Sequence, residues 1–149
     1  MRYTTHAPEE TRALAEILGH ELGKTRPRTA GAFIVALSGD LGSGKTTFIQ
    51  GFARGIGISR RLISPTFTIM RRYPLRGRAF RSLIHIDAYR VHAPHELSII
   101  RFQEWLADPS AVILIEWADL VRPSLRAPAL RVVFSHGKRE NERTISIHR

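Results

Sequence analysis

Residues 37–47 read LSGDLGSGKTT and set a single lysine and two threonines behind a run of small residues. The stretch GDLGSGKT has the P-loop spacing of glycine, four residues, glycine, lysine, and then serine or threonine. Glycines let successive backbone N–H groups converge on a phosphate, and a lysine at this place can reach the outer phosphates of a nucleotide. The hydroxyl that follows can bind magnesium. The predicted phosphate cradle consists of Gly39, Asp40, Leu41, Gly42, Ser43, Gly44, Lys45, Thr46 and Thr47.

The segments on either side of the loop are those that such a cradle requires. Residues 32–38 (AFIVALS) form a short apolar run that is typical of a strand buried in a parallel sheet. Residues 46–58 have apolar positions at helical spacing and predict a helix that ends at Gly55 or Gly57. A first helix is predicted over residues 8–22. Strand, glycine loop and helix in this order favour phosphate binding over a chance glycine-rich turn.

Two acidic residues end further apolar runs that predict buried strands. Glu116 ends AVILIE, and Asp87 ends SLIHID. A carboxylate at the end of a strand near the loop would complete a magnesium site, although either acid could be a strand-end residue that faces water. We favour Glu116 as a direct or water-bridged metal ligand, with Thr46, and Asp87 as the residue that orients an attacking water. The chain lacks the Asn/Thr-Lys-x-Asp type of guanine motif, so ATP is favoured over GTP.

Residues 64–69 (SPTFTI) are neither a good helix start nor a clean strand. Pro65 holds Ser64 extended and presents Thr66 on a constrained turn, which would suit a loop that senses a γ-phosphate. An ordinary turn before a strand explains the same residues equally well. Spacing alone leaves both interpretations open.

Composition predicts one globular domain over residues 1–149, with 43% hydrophobic and 24% charged residues. The absence of cysteine excludes disulfides and thiolate metal sites. No apolar stretch approaches the roughly 20 residues of a membrane span, and residues 1–10 lack the order of a signal peptide. We therefore expect a cytoplasmic protein that does not contact a membrane.

Charge is the unusual property of this chain, since 23 Lys and Arg residues against 13 Asp and Glu residues give a net charge of +10. Eight arginines and one acid, Asp87, lie between residues 60 and 90. This basic segment is a candidate surface for an anionic partner. A solvated basic hairpin is the simpler interpretation.

The motifs GDLGSGKTTF, SPTFTI, HIDAYR and LIEWAD, in this order, resemble the bacterial TsaE family, ATPases of tRNA threonylcarbamoyladenosine biosynthesis. The resemblance covers essentially the whole chain. It implies a P-loop NTPase-like α/β fold with a mainly parallel sheet flanked by helices and an antiparallel extension. It also implies ATP and Mg²⁺ as cofactors and hydrolysis that is weak alone and stimulated by the partners TsaB and TsaD. The implied role is in threonylcarbamoyladenosine formation at position 37 of tRNAs that read ANN codons, with tRNA reached through that complex.

The resemblance also implies roles for single residues. It places Lys45 on phosphate, Thr46 on magnesium and Thr66 at the nucleotide as a sensor. It further implies that Trp117 lies near the nucleotide base and Arg143 close to the nucleotide. The expected catalytic residues are Lys45, Thr66, Asp87 and Glu116.

Two other functions fit the residues. A small-molecule P-loop kinase would suit a short chain with many arginines, but the sequence shows no acceptor-binding insertion or lid after the core. A nucleotide-gated module could instead dock tRNA directly on a basic face formed by Arg71, Arg72, Arg76 and Arg78.

Overall fold

The computed structural model describes residues 1–25, 30–63, 65, 68–125 and 128–149. Strands and α-helices alternate over much of the chain, and 3₁₀ helices at Ala88–Arg90 and Ala118–Ser124 follow two of the strands. The elements are β1 (Arg2–Thr5), α1 (Pro8–Lys24), β2 (Phe33–Ser38), α2 (Lys45–Ile56), β3 (Met70–Pro74), β4 (Ser82–Asp87), α3 (Pro94–Ile99), α4 (Phe102–Ala107), β5 (Ala111–Glu116), β6 (Leu130–His136) and β7 (Arg143–His148).

The strands form a single seven-stranded sheet in the order β1-β7-β6-β2-β5-β4-β3. The four central strands β6, β2, β5 and β4 are parallel to one another, as the sequence predicts for apolar runs joined by helices. β3 pairs antiparallel with β4 at one edge, and β7 and β1 add two antiparallel strands at the other. The fold is therefore mixed α/β, and its antiparallel strands lie at both edges of the sheet.

β2 lies at the centre of the sheet and is buried on both faces. Phe33, Val35 and Leu37 belong to the core under α1 and α2, whereas Ile34 and Ala36 belong to the core under α3 and α4. This double burial explains why the strand reads as a continuous apolar run rather than as an alternating one. The loop that follows β2 emerges from the middle of the sheet edge.

The predicted elements around the loop match the structure within a few residues. α1 continues two residues beyond the predicted end at position 22, and β2 begins one residue after the predicted start. α2 ends at the second of the two predicted glycines, because Gly57 adopts a left-handed φ of 114° and caps the helix with its backbone N–H. No helix in the described ranges is both long and apolar enough to cross a membrane.

Glycines allow α1 and α2 to pack closely. A methyl group placed on Gly19 would lie 2.2 Å from the carbonyl oxygen of Phe52, so any side chain there collides with the backbone of α2. One turn later, a methyl group on Gly23 would lie 3.4 Å from Cγ1 of Ile56, which is an ordinary contact with a side chain. The backbone of α2 thus leaves no room for a side chain at Gly19, whereas the space beside Gly23 accepts a methyl group.

We predict that Gly19→Ala lowers the free energy of unfolding by about 1–3 kcal/mol, because it forces the helices apart. Gly23→Ala is the matched control and should be neutral or stabilising, since alanine favours a helix over glycine by roughly 0.5–1 kcal/mol. Urea unfolding of both variants measures the difference. Equal stability of the two variants would contradict the close approach at Gly19.

Candidate functional site

The glycine loop, residues Gly39–Gly44, depends on backbone conformations that other residues rarely adopt. Gly39, Gly42 and Gly44 have φ values of 142°, 72° and 103°. A methyl group on Gly39 would also lie 2.5 Å from the carbonyl oxygen of Phe134 on β6. Both the path of the loop and its fit against β6 therefore require glycine. The loop leads directly into α2, and the first three residues of that helix line the cleft beside the loop.

Lys45 is turned onto the loop itself. Its Nζ donates hydrogen bonds to the carbonyl oxygens of Gly39, at 2.6 Å, and Asp40, at 2.8 Å. The ring of Trp117 lies over the same ammonium, with 3.9 Å between Nζ and the ring centroid. Burial lowers the pKa of Lys45, while the charges of Glu116, Asp40 and Asp87 oppose this change. A phosphate that binds Lys45 must replace contacts that the protein already supplies.

Strand alternation directs the candidate carboxylates toward α2. Ile84 and Ile86 of β4 pack under α3 and α4, so His85 and Asp87 lie on the opposite face, toward α2. On β5, Glu116 follows Leu114 on that same face, and it is paired in register with Asp87. Two strands and the first turn of α2 thus bring both predicted acids to the glycine loop.

Glu116 is held from two sides although it is only 4% exposed. Thr46 Oγ1 donates to its Oε2 at 3.2 Å, and His85 Nε2 lies 2.8 Å from its Oε1. A carboxylate only accepts hydrogen bonds, so the proton of His85 is on Nε2. His85 Nδ1 is buried without a hydrogen-bond partner in the described residues. The imidazole therefore orients the carboxylate that reaches Thr46.

Asp87 is less enclosed and lies beside this pair. The backbone N–H of Tyr89 donates to its Oδ1 at 3.0 Å. Burial raises the pKa of Asp87, and the nearby carboxylate of Glu116 adds to the increase. The hydrogen bond from Tyr89 and the charges of His85 and Lys45 act in the opposite direction. Asp87 thus takes up a proton more readily than an exposed aspartate does.

These side chains line one open cleft of about 410 Å³, here called the loop cleft. It brings together most of the predicted cradle and both predicted acids. Its lining consists of Leu41, Gly42, Gly44, Lys45, Thr46, Thr47, Asp87, Tyr89, Arg90, Glu116 and Trp117. Ser43 is fully buried beneath the loop, and its hydroxyl has no partner among the described residues. Thr66, Ser64 and Phe67 lie outside the described residues.

Trp117 and Arg143 both reach the glycine loop, from different sides. Trp117 has a left-handed φ of 56°, which turns its ring back over Lys45 and against Tyr89, with 5.0 Å between the ring centroids. Arg143, the first residue of β7, donates to the carbonyl oxygen of Gly42 from Nε and Nη2 at 3.3 and 3.2 Å. In this structure both residues lie at the lysine and the loop, which is the predicted phosphate end of the site.

The arginines of the basic segment do not form one surface. Arg72 projects to the α4 side of the sheet, where its guanidinium lies 5.4 Å from the ring centroid of Trp105. Arg78 lies against Gly57 at the end of α2, on the other side of the sheet. Arg60 stacks on Tyr73 at 5.1 Å on the side of α2. Arg72 and Arg78 therefore do not belong to one basic face, contrary to the prediction from the sequence.

The oxygen donors in the loop cleft suit magnesium. A hydroxyl and a carboxylate, Thr46 and Glu116, lie within hydrogen-bond distance of each other, and Mg²⁺ prefers oxygen ligands completed by phosphates and waters. Within the described residues, no three His, Cys, Asp or Glu side chains form a metal site of their own. The arrangement fits a metal held jointly with a phosphate ligand rather than a site built only from protein.

The raised pKa of Asp87 predicts a pH-dependent contribution to stability. Between its unfolded pKa, near 3.9, and its higher folded pKa, the folded protein binds more protons, so this contribution is lost as the pH rises. We expect Asp87→Asn, which keeps an acceptor for Tyr89, to be at least as stable as the parent at pH 7. The difference in free energy of unfolding between Asp87→Asn and the parent should decrease toward pH 4. Urea unfolding across this range is the measurement.

The corresponding control for this comparison is Asp119→Asn, since Asp119 is exposed and lies outside the loop cleft. Its unfolding curves should shift little against the parent at either pH. A parent protein that gains stability over Asp87→Asn as the pH rises would show that the sign is wrong.

Comparison with known proteins agrees with this architecture. A family model described as "Threonylcarbamoyl adenosine biosynthesis protein TsaE" matches residues 5–145. The chain is 35% identical over 146 residues to the Bacillus subtilis tRNA threonylcarbamoyladenosine biosynthesis protein TsaE, covering 98% of this chain and 84% of that protein. It is 32% identical over 148 residues to the Rickettsia prowazekii protein of the same name, covering 99% and 94%.

Among solved structures, the chain is similar to the crystal structure of Bacillus subtilis YdiB. The TM-score is 0.74 at 31% sequence identity, and the match covers 99% of this chain and 83% of that chain. The family match over almost the whole chain and the likeness in structure lead to one conclusion. This chain belongs to the TsaE family.

Proposed function

We propose that this protein is an ATP-binding, Mg²⁺-dependent ATPase with a P-loop NTPase-like fold. We propose further that it acts in the cytoplasm in threonylcarbamoyladenosine formation at position 37 of tRNAs that read ANN codons. Membership of the TsaE family supports the pathway. The observation that carries the ATPase proposal is the convergence of Lys45, Thr46, Asp87 and Glu116 in one cleft beside the glycine loop.

In the proposed binding step, the glycine loop and the start of α2 hold the phosphates of ATP. The positive φ values of the loop glycines and the helix N-terminus supply converging N–H groups and a partial positive charge. Lys45 exchanges the carbonyl oxygens of Gly39 and Asp40 for phosphate oxygens, which are charged and hold an ammonium more strongly. Arg143 keeps the tip of the loop in place through the carbonyl oxygen of Gly42.

Thr46 and Glu116 would hold the magnesium ion, either directly or through water. When bound, Mg²⁺ neutralises charge on the phosphate oxygens and so favours phosphoryl transfer to water. His85 positions Glu116, because its Nε2–H fixes one carboxylate oxygen while the other faces Thr46. This buried hydrogen bond keeps the carboxylate from turning away when Thr46 changes its partner.

Asp87 is the proposed residue that orients the attacking water. It lies next to Glu116 in register but keeps an open side toward the cleft. Its raised pKa makes it a better proton acceptor than an ordinary aspartate, which suits a group that accepts a hydrogen bond from water. Thr66 remains the proposed γ-phosphate sensor. In this proposal a partner brings the 64–67 segment to the nucleotide and so completes the site, and hydrolysis by the protein alone is slow.

The proposed partners are TsaB and TsaD. In this proposal the protein hydrolyses ATP to drive turnover of the TsaB–TsaD complex and does not itself transfer the threonylcarbamoyl group. tRNA is then reached through the complex. Family membership supports the proposed partners. The contact of Lys45 with the protein's own carbonyl oxygens supports a site that needs a partner to become fully active.

We predict that Lys45→Ala weakens ATP binding by about a hundredfold or more, because charge-assisted hydrogen bonds to phosphate contribute about 1.5–3 kcal/mol each. Glu116→Ala and Asp87→Ala should retain much of the binding but lower kcat by about 10²-fold or more. Isothermal titration with ATP–Mg²⁺ and phosphate-release assays separate the two effects. Asp119→Ala, an exposed acid just after β5, is the control and should leave both unchanged. Normal hydrolysis by Asp87→Ala would remove its proposed role.

Partner dependence is tested by phosphate release with and without purified TsaB and TsaD. We expect a low rate alone and at least a several-fold rise when both are added, since their contact completes the site. A tRNA modification assay with the same components then tests the pathway. Equal hydrolysis rates in the presence and absence of the partners would contradict partner stimulation.

A further inference from the structure

A second groove of about 560 Å³ adjoins the loop cleft on the side of α2. Four arginines line it: Arg12 from α1, Arg54 from α2, and Arg60 and Arg61 from the segment after α2. No carboxylate is part of this lining among the described residues. This groove is called the arginine groove below. It concentrates positive charge from three parts of the chain on one surface.

The wall of the arginine groove is held by specific contacts. Gln50 of α2 donates from Nε2 to the carbonyl oxygen of Leu62 at 2.9 Å and accepts from the Leu62 N–H at 3.2 Å. Tyr73 Oη hydrogen-bonds the backbone of Ile63, and the guanidinium of Arg60 stacks on the Tyr73 ring. The segment that carries the two neighbouring arginines is thereby tied to both α2 and β3. Preorganised guanidinium groups lose less entropy when they bind a ligand.

Two of the four arginines have carboxylate neighbours outside the lining. Arg12 lies 3.3 Å from Glu9, and Arg54 lies 3.2 Å from Glu16. The arginine side chains of these pairs are 48% and 75% exposed, so solvent screens the attraction and a stronger anion can compete for them. The groove can therefore direct up to four guanidinium groups at an anionic ligand.

The chemistry of the groove fits a phosphodiester backbone better than a protein surface. Besides arginine it offers hydroxyl and amide groups, such as Thr47, Gln50 and Ser59, which commonly bind phosphate oxygens. Among the described residues that line it, the only large apolar one is Ile58, which is 6% exposed. The centres of protein interfaces are usually rich in aromatic side chains as well as arginine, and the described lining contains no aromatic residue.

We propose that the arginine groove binds the phosphodiester backbone of an RNA without reading its sequence. Arginine pairs with phosphate in two-pronged hydrogen bonds, and arginine and polar side chains that contact only phosphates carry no sequence information. The groove lies next to the expected γ-phosphate position, because Thr46 and Thr47 line both the groove and the loop cleft. Only the coupling to nucleotide described next rests on the proposed ATP site.

The shared wall predicts the sign of this coupling. A γ-phosphate bound near Thr46 places negative charge beside the groove, which opposes an RNA phosphate there. RNA therefore binds more weakly to the ATP-bound protein than to the ADP-bound protein. By reciprocity, RNA weakens the binding of ATP relative to that of ADP by the same factor. We expect the RNA affinities with ATP and with ADP to differ a few-fold at low salt, and to differ less as salt screens the two charges.

The binding test uses the full chain and a fluorescein-labelled, unmodified tRNA transcript in anisotropy titrations from about 50 to 200 mM salt, where loss of phosphate contacts is readily measured. Arg60→Ala/Arg61→Ala should reduce affinity about tenfold or more at low salt and lower the salt slope by about 1–2. Arg2→Ala/Arg149→Ala is the matched control. It removes the same charge from exposed positions at the opposite end of the sheet and should change affinity less than twofold.

Arg60→Lys/Arg61→Lys tests whether a loss reflects charge or folding, because it keeps the charge and should retain most of the affinity. Equal affinities for the groove variant and the control variant would overturn the proposal. Displacement of tRNA by polyglutamate at equal charge concentration would also overturn it, in favour of an acidic protein partner. Failure of ATP to bind would remove the proposed ATPase, whereas groove-dependent tRNA binding would survive that result. A higher tRNA affinity with ATP than with ADP would overturn the coupling.

Discussion

The loop cleft depends on the burial of one carboxylate, that of Glu116. A buried charge is costly unless hydrogen bonds and opposite charges compensate for it, and here His85 and Thr46 supply the hydrogen bonds while Lys45 supplies the charge. These partners come from β4 and from α2, so the carboxylate links two neighbouring strands of the sheet to the helix that packs on it. The hydrogen bond from His85 to Glu116 also requires the observed register of β4 and β5, because a shift by one residue would turn His85 away from Glu116.

Lys45 shows how the protein's own groups stabilise a partly buried ammonium. The ammonium is held by two carbonyl oxygens and an aromatic face, which together replace part of the hydration that burial removes. The surroundings of Glu116 and Asp87 likewise explain why the two carboxylates differ. Glu116 has a donor on each carboxylate oxygen, whereas among the described residues Asp87 has one backbone donor, and its pKa is raised. Similar residues on adjacent strands thus acquire different chemistry from their surroundings.

Much of the centre of the fold could be predicted from the sequence, because the glycine loop, its flanking strand and helix, and the strands that end at Asp87 and Glu116 all have strong local patterns. The edge strands could not. β1 is a four-residue strand with three exposed residues, and its pairing with β7 joins opposite ends of the chain, so no local pattern reveals it. α3 and α4 have six residues each, too few for a clear helical period.

The sequence predicted that Lys45, Thr46, Asp87 and Glu116 come together, as they do in the loop cleft, but it did not predict their contacts. The strand pattern placed Glu116 and Asp87 near the loop, yet the hydrogen bond from His85 to Glu116 depends on the register between two strands. The sequence did contain one indication of this contact. His85 lies two residues before Asp87, which puts both side chains on one face of β4. Likewise, the arginines of residues 60–90 are close together in the sequence but lie on both sides of the sheet, because side chains of β3 alternate between its faces.

The contact between Arg143 and Gly42 spans 101 residues of the chain and has a consequence for synthesis. A chain emerging from the ribosome in N- to C-terminal order forms β2, the glycine loop and α2 long before β7 exists. Until β7 has been made and paired with β6, the loop lacks the guanidinium that holds its tip. A nascent chain would thus contain the whole glycine loop before the residue that holds its tip has been made, and the loop would reach its final geometry only after β7 has paired with β6.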